Sequence, residues 1–242
     1  LSWYDKVTND LITDVAIVPS SGFTSYKDNM GKVRNRGVEV NLNVNAIQKQ
    51  DWGLNVFFRA SHNKNRIMEI SDALKEYNQK VDDYYSKYPN YNKPLLKYTE
   101  GASLTSIYAV RSLGISPANG QEVFLDANGN VTYDWNTTNQ VVVGNTEPKL
   151  QGSFGFNFRW KRWTLFTAAL FETGGDLYNS TLVDNVECAD IWGSNVDKRV
   201  YTQRWLEPGD VAPLKSIKDR YQVTRPTSRF VQRNRLVNCN SL

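Results

Sequence analysis

An all-β chain of antiparallel, up-and-down strands of the membrane-barrel kind is what three features of the sequence predict. Apolar and polar residues alternate strictly in several stretches, most clearly over Val38–Ala46. Those stretches come in pairs joined by connections of a few residues, whereas the pairs themselves are separated by very long ones. Mean hydropathy is −0.54, and no run approaches the roughly 18 apolar residues that a spanning helix needs. A helical membrane protein is excluded. A membrane β-barrel is not, because its strands hide apolar residues in alternation with polar ones.

The elements follow in order. Trp3 to Leu11 is a first strand running toward the long-loop side, and Thr13 to Lys32 is a loop. Val33 to Ala46 returns. Along it Val38, Val40, Leu42 and Val44 share one side, and Glu39, Asn41, Asn43 and Asn45 the other. Asparagine is a poor strand former, so three of them on one face imply a wet surface or a polar lumen. Gln48 to Asp51 makes a tight connection. Trp52 to Asn63 then alternates again, with Leu54, Val56, Phe58 and Ala60 opposing Asn55, Phe57, Arg59 and Ser61.

A second pair begins at Gln151. Phe154, Phe156, Phe158 and Trp160 lie on one face, and Gly155, Asn157 and Arg159 on the other. Lys161-Arg162 turns the chain into Trp163 to Glu172, where both faces carry apolar or small residues (Leu165, Phe166, Ala168, Ala169, Leu170). Arg229 onward is a sixth strand. Trp52, Trp160 and Trp163 all fall beside the short turns, where an interfacial aromatic girdle belongs.

The connections from about Lys64 to Lys149 and from Gly174 to Ser228 are expected to hold only fragments of structure. One is a short helix over Ser71–Ser86 with Ser71 or Asp72 as N-cap. Another is a hairpin in which Glu122–Leu125 and Val131–Tyr133 flank Asn128-Gly129. A compact soluble domain seldom tolerates connections so long; outer-membrane barrels have this asymmetry, with short periplasmic turns and long outer loops.

Composition narrows the function classes. Net charge is +4 over 242 residues, with basic residues spread along the chain, so no nucleic-acid partner is expected. The opening residues show no export signal and no initiator Met, suggesting a piece of a longer chain. Cys188 and Cys239 define neither a zinc site nor a disulfide framework, although a bond between them is compatible with the sequence. Asp126, Asn128, Asn130, Thr132 and Asp134 occupy alternate positions, but Gly129 precedes the third of them, the wrong register for an EF-hand loop. No catalytic constellation or phosphate-binding loop stands out, so neither an enzyme nor a cofactor or metal is expected.

Several short blocks, in order across nearly the whole chain, resemble the SusC/RagA family of TonB-dependent outer-membrane transporters of Bacteroidetes. They include Trp3-Tyr4 with Thr8-Asn9-Asp10-Leu11-Ile12, Asn29 to Glu39, and Glu100-Gly101 before Ser106-Ile107-Tyr108. Gly114-Ile115-Ser116-Pro117, Gly144 to Lys149, Gly174 to Asn179, Arg204-Trp205 before Pro208-Gly209-Asp210, and Thr227 to Val231 complete the series. The resemblance implies a plugged barrel in the cell outer membrane. Residues 1–242 would be a partial barrel domain, with the plug and final strands absent. The implied function is TonB-dependent import of an oligosaccharide or peptide, with a SusD-like surface lipoprotein over the outer mouth and the TonB complex acting through the missing plug.

On that model Glu39, Asn41, Asn43, Arg59, Asn157 and Arg159 face the lumen, while Val38, Val40, Leu42 and Val44 face lipid. Tyr77, Tyr84, Tyr85, Tyr88, Tyr91 and Tyr98 occupy the longest outer loop. Such rings either pack the loop against itself or contact substrate or lid. The competing architecture is a soluble carbohydrate-binding β-sandwich, motivated by the seven Trp and thirteen Tyr; it would bury the Val38–Val44 face against a second sheet.

Overall fold

The computed structural model describes residues 1–16, 25–29, 31–217 and 223–241. Its main element is one antiparallel sheet of six strands, in the order β1 (Ser2–Thr8), β4 (Lys32–Gln48), β5 (Trp52–Glu69), β11 (Leu150–Trp160), β12 (Trp163–Tyr178) and β13 (Val231–Ser241). Between them in sequence lie β2 (Ile12–Ala16) and β3 (Ser25–Asn29), α1 (Asp72–Lys87), and the short strands β6 (Ser106–Val110), β7 (Ser112–Ile115), β8 (Glu122–Leu125), β9 (Val131–Thr132) and β10 (Gln140–Asn145). The six strands are those expected from alternation, in the expected order. Of the loop expected over Thr13–Lys32, residues 17–24 and 30 lie outside the described residues; the parts flanking 17–24 pair as an antiparallel hairpin, β2 with β3.

Strand ends differ from expectation for identifiable reasons. β1 stops at Thr8 rather than Leu11, and Asp10 takes a left-handed φ of 49°. β5 continues past Asn63 to Glu69 because β4 offers it a partner all the way to Lys32, and because Asn65 donates its amide to the Asn35 side chain at 2.8 Å. β12 continues past Glu172 through a bulge at Gly174, whose φ of +82° only glycine adopts without strain. At the other end the turns are as short as expected. Lys161 adopts φ +51° and its N–H donates to Asp51 O at 2.8 Å, tying the two short turns together.

The hydrophobic core sits mainly in the long connections, joined by Val33 and Ile67 at the loop end of β4 and β5. α1 is capped by Ser71, whose hydroxyl accepts the Leu74 N–H at 3.3 Å. The helix buries Leu74, Tyr77, Val81 and Tyr85 against Tyr98 and Ile67, with Trp135, Tyr91 and Leu95 packed around them. A second cluster gathers Val186, Ala189, Val200 and Leu214. The expectation of mere fragments there is corrected: the segments are ordered by contacts between residues far apart in sequence, which local periodicity does not register.

The sheet, by contrast, has no buried sandwich core. Val38, Val40, Leu42 and Val44 are all exposed, Leu42 to 54%, and among the described residues no second sheet covers them. That contradicts the carbohydrate-binding sandwich, whose defining contact is absent. Cys188 and Cys239 are free thiols, so the disulfide left open by the sequence does not form. Burial pushes the Cys188 thiol pKa up, partly offset by its hydrogen bond from Thr224.

Candidate functional site

The candidate site is the wall itself, two faces of one sheet with different chemistry. Register places the apolar set side by side across neighbouring strands. Leu42 pairs with Phe58 and Phe58 with Phe154; Val44 pairs with Val56 and Val56 with Phe156. The rings interlock: Phe171 lies 5.9 Å from Phe58 and 6.2 Å from Phe154. Gly152 makes this possible, since a Cβ there would come within 2.9 Å of the Phe171 ring. At the short-turn end Trp52, Trp160 and Trp163 form one lateral row across β5, β11 and β12. Trp163 is 76% exposed, and Trp52 stacks at an angle on Trp160 at 5.8 Å.

The opposite face is amide-rich on one side and mixed on the other. Asn55 donates to the Asn43 and Asn45 side chains at 2.6 and 2.8 Å, so the asparagines satisfy one another as a ladder across β4 and β5. Asn41 lies opposite Arg59, Glu39 opposite Ser61, and Arg59 opposite Ser153 on β11. Glu39 also accepts the Ser2 hydroxyl at 3.3 Å. Glu39, Asn41, Arg59, Ser61, Gln151, Ser153 and Glu172 border a shallow trough of about 450 Å³. Asn157 and Arg159 continue the same face toward the short turns, where Arg159 donates to Lys49 O at 3.3 Å. The six residues assigned to the lumen side therefore share one face.

That face is not uniformly polar, which the sequence reading missed. Phe57 reaches across β11 to stack on Phe166 of β12, with centroids 6.2 Å apart and planes 17° from parallel, and Leu170 stands beside them. Gly155 supplies the gap, because a Cβ there would meet the Phe57 ring at 2.6 Å. The Arg59 guanidinium sits 5.9 Å from the same ring. The signal was present in the apolar character of both sides of β12.

The six loop tyrosines divide. Tyr77, Tyr85 and Tyr98 are buried under α1 and pack the loop, with Tyr85 donating to Lys93 O at 2.8 Å. Desolvation raises the Tyr85 pKa well above the ordinary phenol value. These three take the first of the two roles open to the rings, packing the loop against itself. Tyr84, Tyr88 and Tyr91 remain near the surface as a ring cluster, Tyr84 lying 4.5 Å from Tyr88 and 5.1 Å edge-on from Tyr91. The Asp126 loop is a turn: its carboxylate accepts the N–H groups of Asn128 and Asn130, both at 2.8 Å. Those bonds, the Asn130 N–H foremost, hold the Asp126 pKa below the usual carboxylate range.

Where the long loops meet β13 lies a charged cluster that no sequence spacing announces. Arg229 bonds Glu122 through Nε at 3.2 Å and Nη2 at 3.0 Å, and Glu187 through Nη2 at 2.5 Å. Glu187 is fully buried. Burial works to lower the Arg229 pKa, but the two carboxylates outweigh it and hold the guanidinium protonated.

No family model matches the chain. Among curated proteins it is similar to TonB-dependent receptor P3 of Formosa agariphila, with 22% identity over 91% of this chain and 25% of that protein. It is similar also to TonB-dependent receptor P39 of the same organism, with 23% identity over 93% and 24% respectively. Among solved structures it matches the RagAB peptide transporter with a TM-score of 0.71 at 19% identity, over 97% of this chain and 25% of that one. RagAB in its closed-closed state gives 0.62. The chain spans about a quarter of the length of the relatives it matches. In sequence and in fold, then, this chain resembles a barrel segment of the SusC/RagA-type TonB-dependent receptors.

Proposed function

We propose that residues 1–242 are a partial β-barrel domain of an outer-membrane importer, with the apolar face of the sheet against lipid and the amide face toward a lumen. The observation that supports this most is the pairing of Leu42, Phe58 and Phe154 across three strands, an exposed apolar belt bounded at one end by the tryptophan row. Water would penalise such a belt; a bilayer would not. Function would be gated passage, with no bond made or broken. A SusD-like surface lipoprotein would capture the solute outside, and TonB would act through a plug supplied by the rest of the receptor. The solute would then cross beside Glu39, Asn41, Asn43, Arg59, Asn157 and Arg159.

The substrate class we assign is oligosaccharide or peptide. Asparagine side chains and carboxylates suit hydroxyl and amide groups, and the Phe57–Phe166 stack offers an apolar surface to either. Leu42→Arg in the full-length receptor is expected to cost roughly 2–4 kcal/mol at mid-bilayer, read as reduced barrel assembly. Undiminished assembly would remove the lipid-facing assignment of that side chain.

A further inference from the structure

The segment Val223–Phe230 carries an arrangement that import through a lumen does not by itself require. It leads directly into β13, and within a few residues it bonds to several separate pieces of the long loops. Thr224 donates its hydroxyl to Glu187 at 3.3 Å and its N–H to the Cys188 sulfur at 3.2 Å. Arg225 sits over the Trp135 ring, its guanidinium carbon 3.8 Å from the centroid, and donates to Tyr85 O of α1 at 2.5 Å. Pro226 O accepts both the Trp135 indole N–H at 2.9 Å and the Val110 N–H at 3.2 Å. Thr227 forms a parallel bridge with Val110, and the Ser228 hydroxyl accepts the Ser112 N–H at 3.0 Å. Arg229 reaches Glu122 and Glu187, and Phe230 O accepts the Asn179 N–H at 2.9 Å.

The physical weight of these contacts comes from burial. Thr224, Thr227 and Phe230 are at most 2% exposed, and Glu122 and Glu187 are buried partners of one guanidinium. Removing one member of such a set leaves the others desolvated and unpaired. The partners also belong to separate stretches of chain: α1, the β6 and β7 strands, the β8–β9 hairpin, and the helical turns around Val183–Glu187. None of those stretches adjoins this segment in sequence.

We propose that Val223–Phe230 is a clasp that makes the outer loops one mechanical body and fixes that body to the sixth strand. Loop motion is then coupled: the loops shift together and with the wall, rather than opening as separate lids. The inference is independent of which solute is carried, and of whether the apolar face meets lipid.

Hydrogen exchange on the full-length receptor in detergent tests it, following peptides that cover residues 81–88, 122–125 and 183–188. Arg225→Lys removes the guanidinium from the Trp135 ring and loosens the bond to Tyr85 O of α1. In the clasp it accelerates exchange in all three peptides by roughly tenfold. Glu122→Gln, made at the other end, gives the same three-peptide response. Acceleration confined to the peptide that each side chain touches overturns the proposal, because the loops are then independent. Should Arg225→Lys fail to assemble, Trp135→Phe removes the indole donor to Pro226 and shrinks the ring beneath Arg225, and it is read in the same way. In either background, silence at 122–125 and 183–188 refutes coupling.

Discussion

At the scale of single residues, glycines and asparagines carry much of the wall's design. Gly152 and Gly155 sit three apart on β11, so they point to opposite faces, and each admits a phenylalanine ring from a neighbouring strand. Glycine weakens a strand, and here the stacked rings compensate. Gly155→Val in the full-length receptor is expected to lose about 1–3 kcal/mol, seen as a lower urea midpoint. Gly53→Ala serves as a control near zero, because its nearest neighbour would be Arg159 at an ordinary 3.5 Å. Equal effects at both sites would show that ring placement is not what the glycine protects. The faces of these residues were legible in the sequence, because strand side chains alternate with a period of exactly two. The Phe57–Phe166 stack was not. Those residues lie more than a hundred positions apart, and only the register of β5, β11 and β12 brings them together.

At the scale of elements, the helix and the hairpin show what local chemistry can specify. Ser71 caps α1 as expected, and Asn128-Gly129 turns β8 into β9 with Gly129 at φ +85°. Both signals act within four residues of where they are written. Ser71→Ala is expected to cost about 1 kcal/mol and to speed amide exchange in the first turn, whereas Ser71→Asp keeps the cap. Unchanged exchange in the alanine variant would mean that packing on Tyr98 and Ile67 alone holds that turn. The same helix shows where local reading stops. Its tyrosines look alike in sequence, yet Tyr77 and Tyr85 are core, Tyr84 is half-buried and Tyr88 is exposed. Helical phase explains part of the split, and the position of the 91–98 segment over one side decides the rest.

For the molecule as a whole, the order in the exposed sheet and the order in the packed loops have different sources. Among the described residues the sheet holds itself by ladder bonds but leaves β1 and β13 each with one unpaired edge and leaves an apolar face open. Lipid cannot satisfy free edges of that kind, and in water they template pairing with another chain. Residues 1–242 produced alone are therefore expected to associate without detergent, as seen by sedimentation; a monodisperse soluble monomer would contradict the membrane reading of the face. Strand number, strand order and the division into greasy and amide sides could be read directly from the chain, because each follows from period-two patterning and from connection length. The folded loop region, the aromatic strip on the amide side and the clasp of Arg225 and Arg229 could not. Arg225 reaches Tyr85 across 140 positions and Arg229 reaches Glu187 across 42, and a contact over such distances leaves no local periodicity; it exists only once the strands have set where each loop begins and ends.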